Sequence, residues 1–214
     1  MLDRNQPIAD EGYPFIVVPA FLTLICALLG WNLPTLLLLG LTLFIIYFFR
    51  NPERVVPGQP GVVVAPADGR IVYLGKVDSA PMLEGEALKI SIFMSVFNVH
   101  VNRFPCTGRV VDSYYRKGRF FNAALDKASE KNEQAGLLIE ADDGTRVACV
   151  QIAGLIARRI VCYPEVGDAL EVGERYGLIR FGSRVDIYLP AEFEPKVTLG
   201  QTTVGGETVL GNLQ

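Results

Sequence analysis

The sequence predicts a mainly β domain, sandwich-like or barrel-sandwich-like with little helix, preceded by an N-terminal α-helical membrane hairpin. Two observations lead to this prediction. Residues 12–49 contain no charged side chain, which is more apolar sequence than most soluble cores require. From residue 55 onward, short β-like runs alternate with Gly, Pro and Asp. We therefore divide the chain into a helical hairpin, residues 1–54, and a β-rich domain, residues 55–214.

The hairpin is predicted from two apolar blocks, residues 15–29 and 33–49. A helix the length of the second block extends about 25 Å, slightly less than the ~30 Å hydrocarbon core, so a transmembrane and a shallower re-entrant hairpin both remain open. Arg4, Arg50 and Arg54 flank the pair, and the connection has no basic residue. The positive-inside rule then places both ends, and the β-rich domain, on the cytoplasmic side of the cell (inner) membrane. A secretory signal and a buried hairpin of a soluble protein are the competing interpretations.

The strands of the second domain are predicted from apolar runs bounded by turn residues. These runs are residues 61–65, 70–77, 87–94, 108–115, 136–141, 146–152, 170–172 and 185–189, with two shorter ones at 197–199 and 208–210. Pro66-Ala67-Asp68-Gly69 and Asp142-Asp143-Gly144 are tight-turn or hairpin sequences. One helix is predicted over residues 122–133.

Charge and composition exclude several kinds of protein. A net charge of −3 gives no reason to expect a nucleic-acid partner. The four cysteines are widely spaced without a C-x-x-C pair, which argues against a disulfide framework. Because His100 is the one histidine, a histidine-rich metal site within one chain is excluded, and no metal is expected.

Three short segments could carry chemistry. They are the acidic turn containing Asp68, the segment 93–106 containing His100, and the dipeptide Gly182-Ser183. Each has an ordinary structural explanation when taken alone. An Asp before Gly commonly forms a turn, a single His commonly makes structural hydrogen bonds, and Gly-Ser commonly precedes a strand.

Taken together and in this order, the segments resemble the phosphatidylserine decarboxylase family, in its short bacterial form. The matching pieces are Pro66-Ala67-Asp68-Gly69, the histidine segment that ends in Pro105-Cys106-Thr107-Gly108, the stretch Gly118-Arg119-Phe120-Phe121-Asn122-Ala123, and the late Gly182-Ser183. Four matches in the right order are far more specific than any one of them, and they cover most of the chain after the apolar blocks.

The resemblance implies a proenzyme that cuts itself between Gly182 and Ser183. The large chain 1–182 and the small chain 183–214 would stay together as a heterodimer, within a possible homo-oligomer. Ser183 would act as nucleophile and become a pyruvoyl group, the cofactor, which forms a Schiff base with the substrate amine. The implied reaction converts phosphatidylserine in a phospholipid membrane to phosphatidylethanolamine. His100 would be the general acid or base, and Asp68, paired with His100, would orient groups or act as base during maturation.

The sequence departs from the longer family members at two places. Phe181 and Arg184 flank the Gly-Ser bond where Leu and Thr are usual, which leaves the glycyl carbonyl and seryl hydroxyl in place. Arg103 stands where long members have a second histidine. Either His100 serves both self-cleavage and decarboxylation, or maturation depends on Asp68 and local strain.

A basic and aromatic segment, residues 114–121, suits contact with anionic headgroups. An ordinary half-buried strand followed by a basic turn explains it equally well. The candidate substrate-binding residues from this region are Arg116, Lys117, Arg119, Phe120 and Asn122. Two other functions remain open: a membrane-tethered β-sandwich for binding or assembly without catalysis, and the same chemistry on another seryl phospholipid.

Overall fold

The computed structural model describes residues 6–118, 132–154, 159–180 and 182–213. The chain divides into two compact units, residues 1–53 and residues 54–214. The helix predicted over residues 122–133 falls almost entirely outside the described residues and stays a prediction.

The first unit is a pair of apolar helices, as the sequence predicts. A short 3₁₀ turn, Asp10–Gly12, leads into α1, Tyr13–Leu28, and α2 follows at Asn32–Phe48. Gly30 adopts a φ of +73° between them, a conformation that glycine adopts without a steric penalty. Among the described residues, only the helical stretch Asp10–Leu28 is long and apolar enough to cross a membrane, because α2 is apolar but shorter.

The helices of this unit keep much apolar surface exposed. Leu28 is 79% exposed and Leu33 69% exposed, and large aliphatic and aromatic side chains along both helices behave similarly. Exposed apolar surface on this scale needs a partner, and for an apolar helix pair a lipid bilayer is one that fits.

The described residues of the second unit form thirteen strands. They are β1 Val62–Val64, β2 Gly69–Val77, β3 Ala87–Met94, β4 Val101–Arg103, β5 Gly108–Arg116, β6 Gln134–Ala141, β7 Arg146–Ile152, β8 Ile160–Cys162, β9 Ala169–Leu170, β10 Arg175–Ile179, β11 Ser183–Pro190, β12 Thr202–Thr203 and β13 Val209–Asn212. The mainly β prediction is confirmed.

Three sheets share one core. The largest has eight strands in the order β12-β2-β3-β11-β7-β6-β5-β9, and the smaller ones are β4-β10-β8 and β1-β13. One face of the large sheet, with residues such as Ile92, Leu137 and Ile187, packs against residues from both smaller sheets in a single hydrophobic core. The large sheet therefore encloses the core, and we call this its inner face.

The strand predictions fail mainly where strands are short or polar. Residues 197–199 are not a strand, and β4, β8 and β10 were not predicted, although together they form the three-stranded sheet. The turn at residues 142–144 is the β6–β7 hairpin. The turn at residues 66–69 is not a hairpin, because β1 pairs with β13 rather than with β2.

Antiparallel register brings several strand ends to one edge of the large sheet. Ser183 at the start of β11 is paired with Met94 at the end of β3. On the other side of β11, Arg184 is the cross-strand partner of Ile152 on β7. Ile152 is in turn paired with Gln134 on β6, and Gln134 with Arg116 on β5. We call this edge the Ser183 edge.

The outer face of the same sheet contains a buried ionic cluster. Asp186, which has no exposed surface, pairs with Arg184 Nε at 2.8 Å and with Lys89 Nζ at 3.2 Å. Arg184 is itself buried, and Lys89 also lies over the rings of Tyr73 and Tyr188. The cluster anchors β11 at its second and fourth residues.

Candidate active site

Ser183 is a buried serine whose hydroxyl has no hydrogen-bond partner among the described residues. It is the first residue of β11, and its alternation with Val185 and Ile187 directs its side chain to the inner face. A buried polar group without a partner costs roughly 1–3 kcal/mol. A catalytic role is one explanation for such a group.

Gly182 precedes this serine in a left-handed conformation, with φ of +57°. Apart from Gly182 and its two chain neighbours, no described residue has an atom within 4 Å of the position where a Cβ would stand. Space alone would therefore admit a side chain, and it is the backbone conformation that favours glycine here. The scissile bond predicted from the sequence thus joins a glycine in a left-handed conformation to a buried serine whose hydroxyl has no hydrogen-bond partner among the described residues.

His100 lies between β3 and β4, near the Ser183 edge. Its ring is 2% exposed, and Nδ1 lies 3.0 Å from the carbonyl oxygen of Asn98. Because a carbonyl can only accept, the neutral ring carries its proton on Nδ1 and its lone pair on Nε2. The His100 carbonyl in turn accepts from the N–H of Ile179, near the end of the strand that leads toward Ser183.

Asp68 is held by an arginine rather than by the histidine. Its carboxylate accepts bonds from Arg54 Nη2 at 2.8 and 2.9 Å, and from the N–H of Gly205 at 2.8 Å. The sequence predicted a pairing of Asp68 with His100, and this pairing is not made. Whether Asp68 acts as a base stays a prediction.

Arg103, at the position of the second family histidine, lies close enough to Arg54 and Asp68 for their charges to shift its pKa. Burial, together with the charge of Arg54, lowers the pKa of Arg103, while the charge of Asp68 raises it. Its backbone N–H donates to the carbonyl of Pro66, and Nη1 donates to the carbonyl of Gly173. The backbone bond from Arg103 to Pro66 therefore joins the acidic turn to β4, the strand that follows His100.

Strand order brings the predicted residues to one edge without joining them by hydrogen bonds. Asp68 precedes β2, His100 follows β3 and Ser183 begins β11, which is the next strand but one from β2. With neighbouring strands about 4.8 Å apart, two steps separate the Asp68 and Ser183 backbones by roughly 10 Å. Neither Asp68 nor Ser183 hydrogen bonds to His100 in the described part of the chain.

The candidate substrate-binding residues are only partly described. Arg116 ends β5 at the Ser183 edge, and the exposed Lys117 follows it. Arg119, Phe120 and Asn122 lie outside the described residues, as does Phe181. Among the described residues, no group of three His, Cys, Asp or Glu side chains could hold a metal ion.

The sequence did not single out a buried amide pair formed by Gln151 on the inner face and Asn102 on β4. Gln151 Nε2 donates to Asn102 Oδ1 at 2.8 Å, and Asn102 Nδ2 donates to the Met94 sulfur at 3.6 Å. Both amides are fully buried. The one signal in the sequence is that Gln151 occupies an inward position in the otherwise apolar second half of β7.

Comparisons with known proteins agree with the motifs. The family described as phosphatidylserine decarboxylase matches residues 41–211. A protein of Syntrophotalea carbinolica named phosphatidylserine decarboxylase proenzyme is 60% identical over the full length of both chains. Proteins of the same name from Geobacter sulfurreducens and Geotalea uraniireducens are 57% and 53% identical, again over the full length of each chain.

The family match covers most of the chain and includes Asp68, His100 and Ser183. This favours an enzyme over the tethered binding module that the sequence left open. The chain belongs to the phosphatidylserine decarboxylase family, whose members are carboxy-lyases.

Proposed function

We propose that the chain cuts itself between Gly182 and Ser183 and then decarboxylates phosphatidylserine to phosphatidylethanolamine with the pyruvoyl group formed at residue 183. The observation that carries this proposal is the buried Ser183 hydroxyl without a partner, directly after a glycine in the left-handed region. The names of the relatives supply the substrate.

Maturation begins when Ser183 Oγ attacks the carbonyl carbon of Gly182. The amide becomes an ester, and the hydroxyl proton ends on the former amide nitrogen. β-Elimination then releases Gly182 as a carboxylate and leaves a dehydroalanine. Water converts this residue to the pyruvoyl group with loss of ammonia. Asp68 is the proposed base, and its hydrogen bonds from Arg54 hold the carboxylate in place.

The small chain has reason to remain bound after cleavage. Residues 183–214 contain β11, β12 and β13, and each of them pairs with at least one strand of the large chain. β11 lies between β3 and β7, and the Arg184–Asp186–Lys89 cluster fastens it near its first residue. We therefore propose a heterodimer in which residue 183 stays on the inner face.

The surroundings of residue 183 suit a pyruvoyl group. A seryl and a pyruvoyl residue are of similar size, and Ser183 already holds an unpartnered polar atom there. When formed, the group supplies an electron-withdrawing carbonyl for loss of carbon dioxide. His100 is the proposed general acid. Because Nε2 carries the lone pair of the neutral ring, it must first take up a proton, which it then delivers to the substrate α-carbon.

We further propose that the helix pair holds the enzyme at the membrane, with the second unit in the cytoplasm. The exposed apolar side chains of α1 and α2 support membrane contact, and Arg50 and Arg54 after α2 support the orientation. Arg116 and Lys117 at the Ser183 edge suit anionic headgroups. Protease added to inverted membrane vesicles should digest residues beyond 54, and full protection would contradict the orientation.

The proposal is tested by intact mass spectrometry of the full-length protein after incubation with membranes. Wild type should yield a fragment of residues 183–214 with a keto-bearing N-terminus, and Ser183→Ala should remain a single chain of 23.5 kDa. Ser91→Ala is the matched control, since Ser91 is also buried with an unpartnered hydroxyl but lies on the outer face. It should cleave like wild type.

Two further results would change the proposal. A single uncut chain from wild type would remove the cofactor and restore the tethered binding module. Cleaved protein that releases carbon dioxide from another seryl phospholipid, but not from phosphatidylserine, would keep the chemistry and change the substrate.

A further inference from the structure

We propose that Gln151, held in place by Asn102, positions the Ser183 hydroxyl for its attack on the Gly182 carbonyl. The inference rests on the proposed self-cleavage. It assigns a positioning role to Gln151, which lies outside the motifs of the sequence, and to Asn102, which lies within the segment 93–106 but was not singled out there.

Gln151 and Ser183 are neighbours on the inner face of two adjacent strands, β7 and β11. Gln151 on β7 is the cross-strand partner of Val185 on β11. Ser183 lies two residues from Val185 on the same face, so Gln151 and Ser183 are diagonal neighbours. Diagonal neighbours in an antiparallel pair lie roughly 7–8 Å apart at the backbone, within reach of a long side chain. A glutamine side chain is long enough to reach the serine.

The unused hydrogen-bonding groups of the two side chains are complementary. Ser183 Oγ carries a proton and has no acceptor among the described residues, while Gln151 Oε1 is an acceptor with no donor there. Both residues are fully buried, so water does not satisfy either group from bulk solvent. A bond from the hydroxyl to Oε1 would satisfy both at once and would fix the direction of the Oγ lone pairs.

Asn102 restrains Gln151 from the other side. Its Oδ1 accepts from Gln151 Nε2 at 2.8 Å, and Nε2 also approaches the carbonyl of Val161 at 3.4 Å. The Asn102 amide itself donates to the sulfur of Met94, the cross-strand partner of Ser183. A thioether is a weak acceptor, so this buried polar pair is kept at a cost. Gln151 lies on β7, one neighbour of β11, and Asn102 contacts Met94 on β3, the other neighbour.

An amide cannot remove a proton at working pH, so the role is orientation and not base catalysis. The step it assists forms the bond between Ser183 Oγ and the Gly182 carbonyl carbon and breaks the bond from that carbon to the Ser183 nitrogen. The proton moves from Oγ to that nitrogen, and no other reactant is needed. Loss of one orienting bond should slow this step roughly tenfold.

The test compares self-cleavage rates of full-length variants by gel and intact mass. Gln151→Met removes the acceptor at nearly constant volume and should slow cleavage roughly tenfold. Gln151→Glu keeps an acceptor oxygen, so its rate should exceed that of Gln151→Met and rise with pH as the carboxyl ionises. The matched control is Gln134→Met, a buried glutamine on the neighbouring strand whose acceptor bonds to Tyr114, and it should cleave normally.

Hydroxylamine identifies the affected step because it cleaves esters and leaves amides intact. Gln151→Met should accumulate the uncut amide, so hydroxylamine should release no additional fragment. Accumulation of a hydroxylamine-sensitive ester would place the defect after the attack and overturn the inference. Equal rates for wild type and Gln151→Met, or equal rates for the Met and Glu variants at every pH, would also overturn it. Failure of wild type to cleave would refute the proposed function instead.

Discussion

Replacing Asp186 with asparagine should destabilise the second unit strongly. The carboxylate is fully buried and forms ion pairs with two cations, Arg184 at 2.8 Å and Lys89 at 3.2 Å. Removing one partner from a buried ion pair typically costs about 3–5 kcal/mol, because a buried charge is left uncompensated. Arg184 is 1% exposed and cannot reach solvent without disturbing β11.

Two features place the expected loss at the lower end of that range. Asparagine keeps one acceptor oxygen, and Lys89 lies 5.3 and 5.6 Å from the ring centroids of Tyr73 and Tyr188, which stabilise a cation by roughly 0.5–2 kcal/mol. We expect a loss of about 3 kcal/mol. For a protein of this size, that corresponds to a decrease in Tm of about 6–12 °C.

The assay is thermal unfolding of the full chain in detergent, with every variant carrying Ser183→Ala so that all remain uncut. Asp112→Asn is the control, because Asp112 is exposed on β5 and should change stability by less than about 0.5 kcal/mol. A loss below about 1 kcal/mol for Asp186→Asn would refute the argument, since it would mean that Arg184 and Lys89 are well solvated without their partner.

Two further predictions concern the backbone at the scissile bond and the buried thiols. Gly182→Ala should fold, because no described residue beyond its two chain neighbours has an atom within 4 Å of the new Cβ. It should lose about 1–2 kcal/mol from the left-handed conformation and cleave more slowly. Cleavage at the wild-type rate would show that this conformation is not needed. Burial raises the pKa of the Cys106 thiol to about 12, so its contribution to stability is complete below the unfolded value near 9 and is lost as pH rises toward 12. Denaturant unfolding from pH 9 to 12 should therefore show a shallower decline for Cys106→Ala, by about 1.4 kcal/mol per pH unit, and identical slopes would contradict the assigned pKa.

The sequence predicted most of the long elements because their information is local. The apolar blocks define α1 and α2, and period-two alternation with turn residues defines β2, β3, β5, β6, β7 and β11. The sequence did not predict the strands of the three-stranded sheet, because β4 and β8 have three residues each and β10 begins with a buried arginine. Burial of that arginine is a tertiary property that no local pattern shows.

For the candidate site, too, some features follow from short segments of sequence and others only from contacts between distant residues. By itself the sequence determined the identities of Asp68, His100 and Ser183, through motifs that each span a few residues. Only the tertiary structure decided their neighbours, since Asp68 meets Gly205 from 137 positions away and Gln151 meets Asn102 from 49 positions away. Strand register sets these encounters, and register is fixed by burial of one whole sheet face rather than by any single segment. For that reason the motifs named the candidate reacting groups, whereas the arginine at Asp68 and the bond between Gln151 and Asn102 emerged only from the packed sheets.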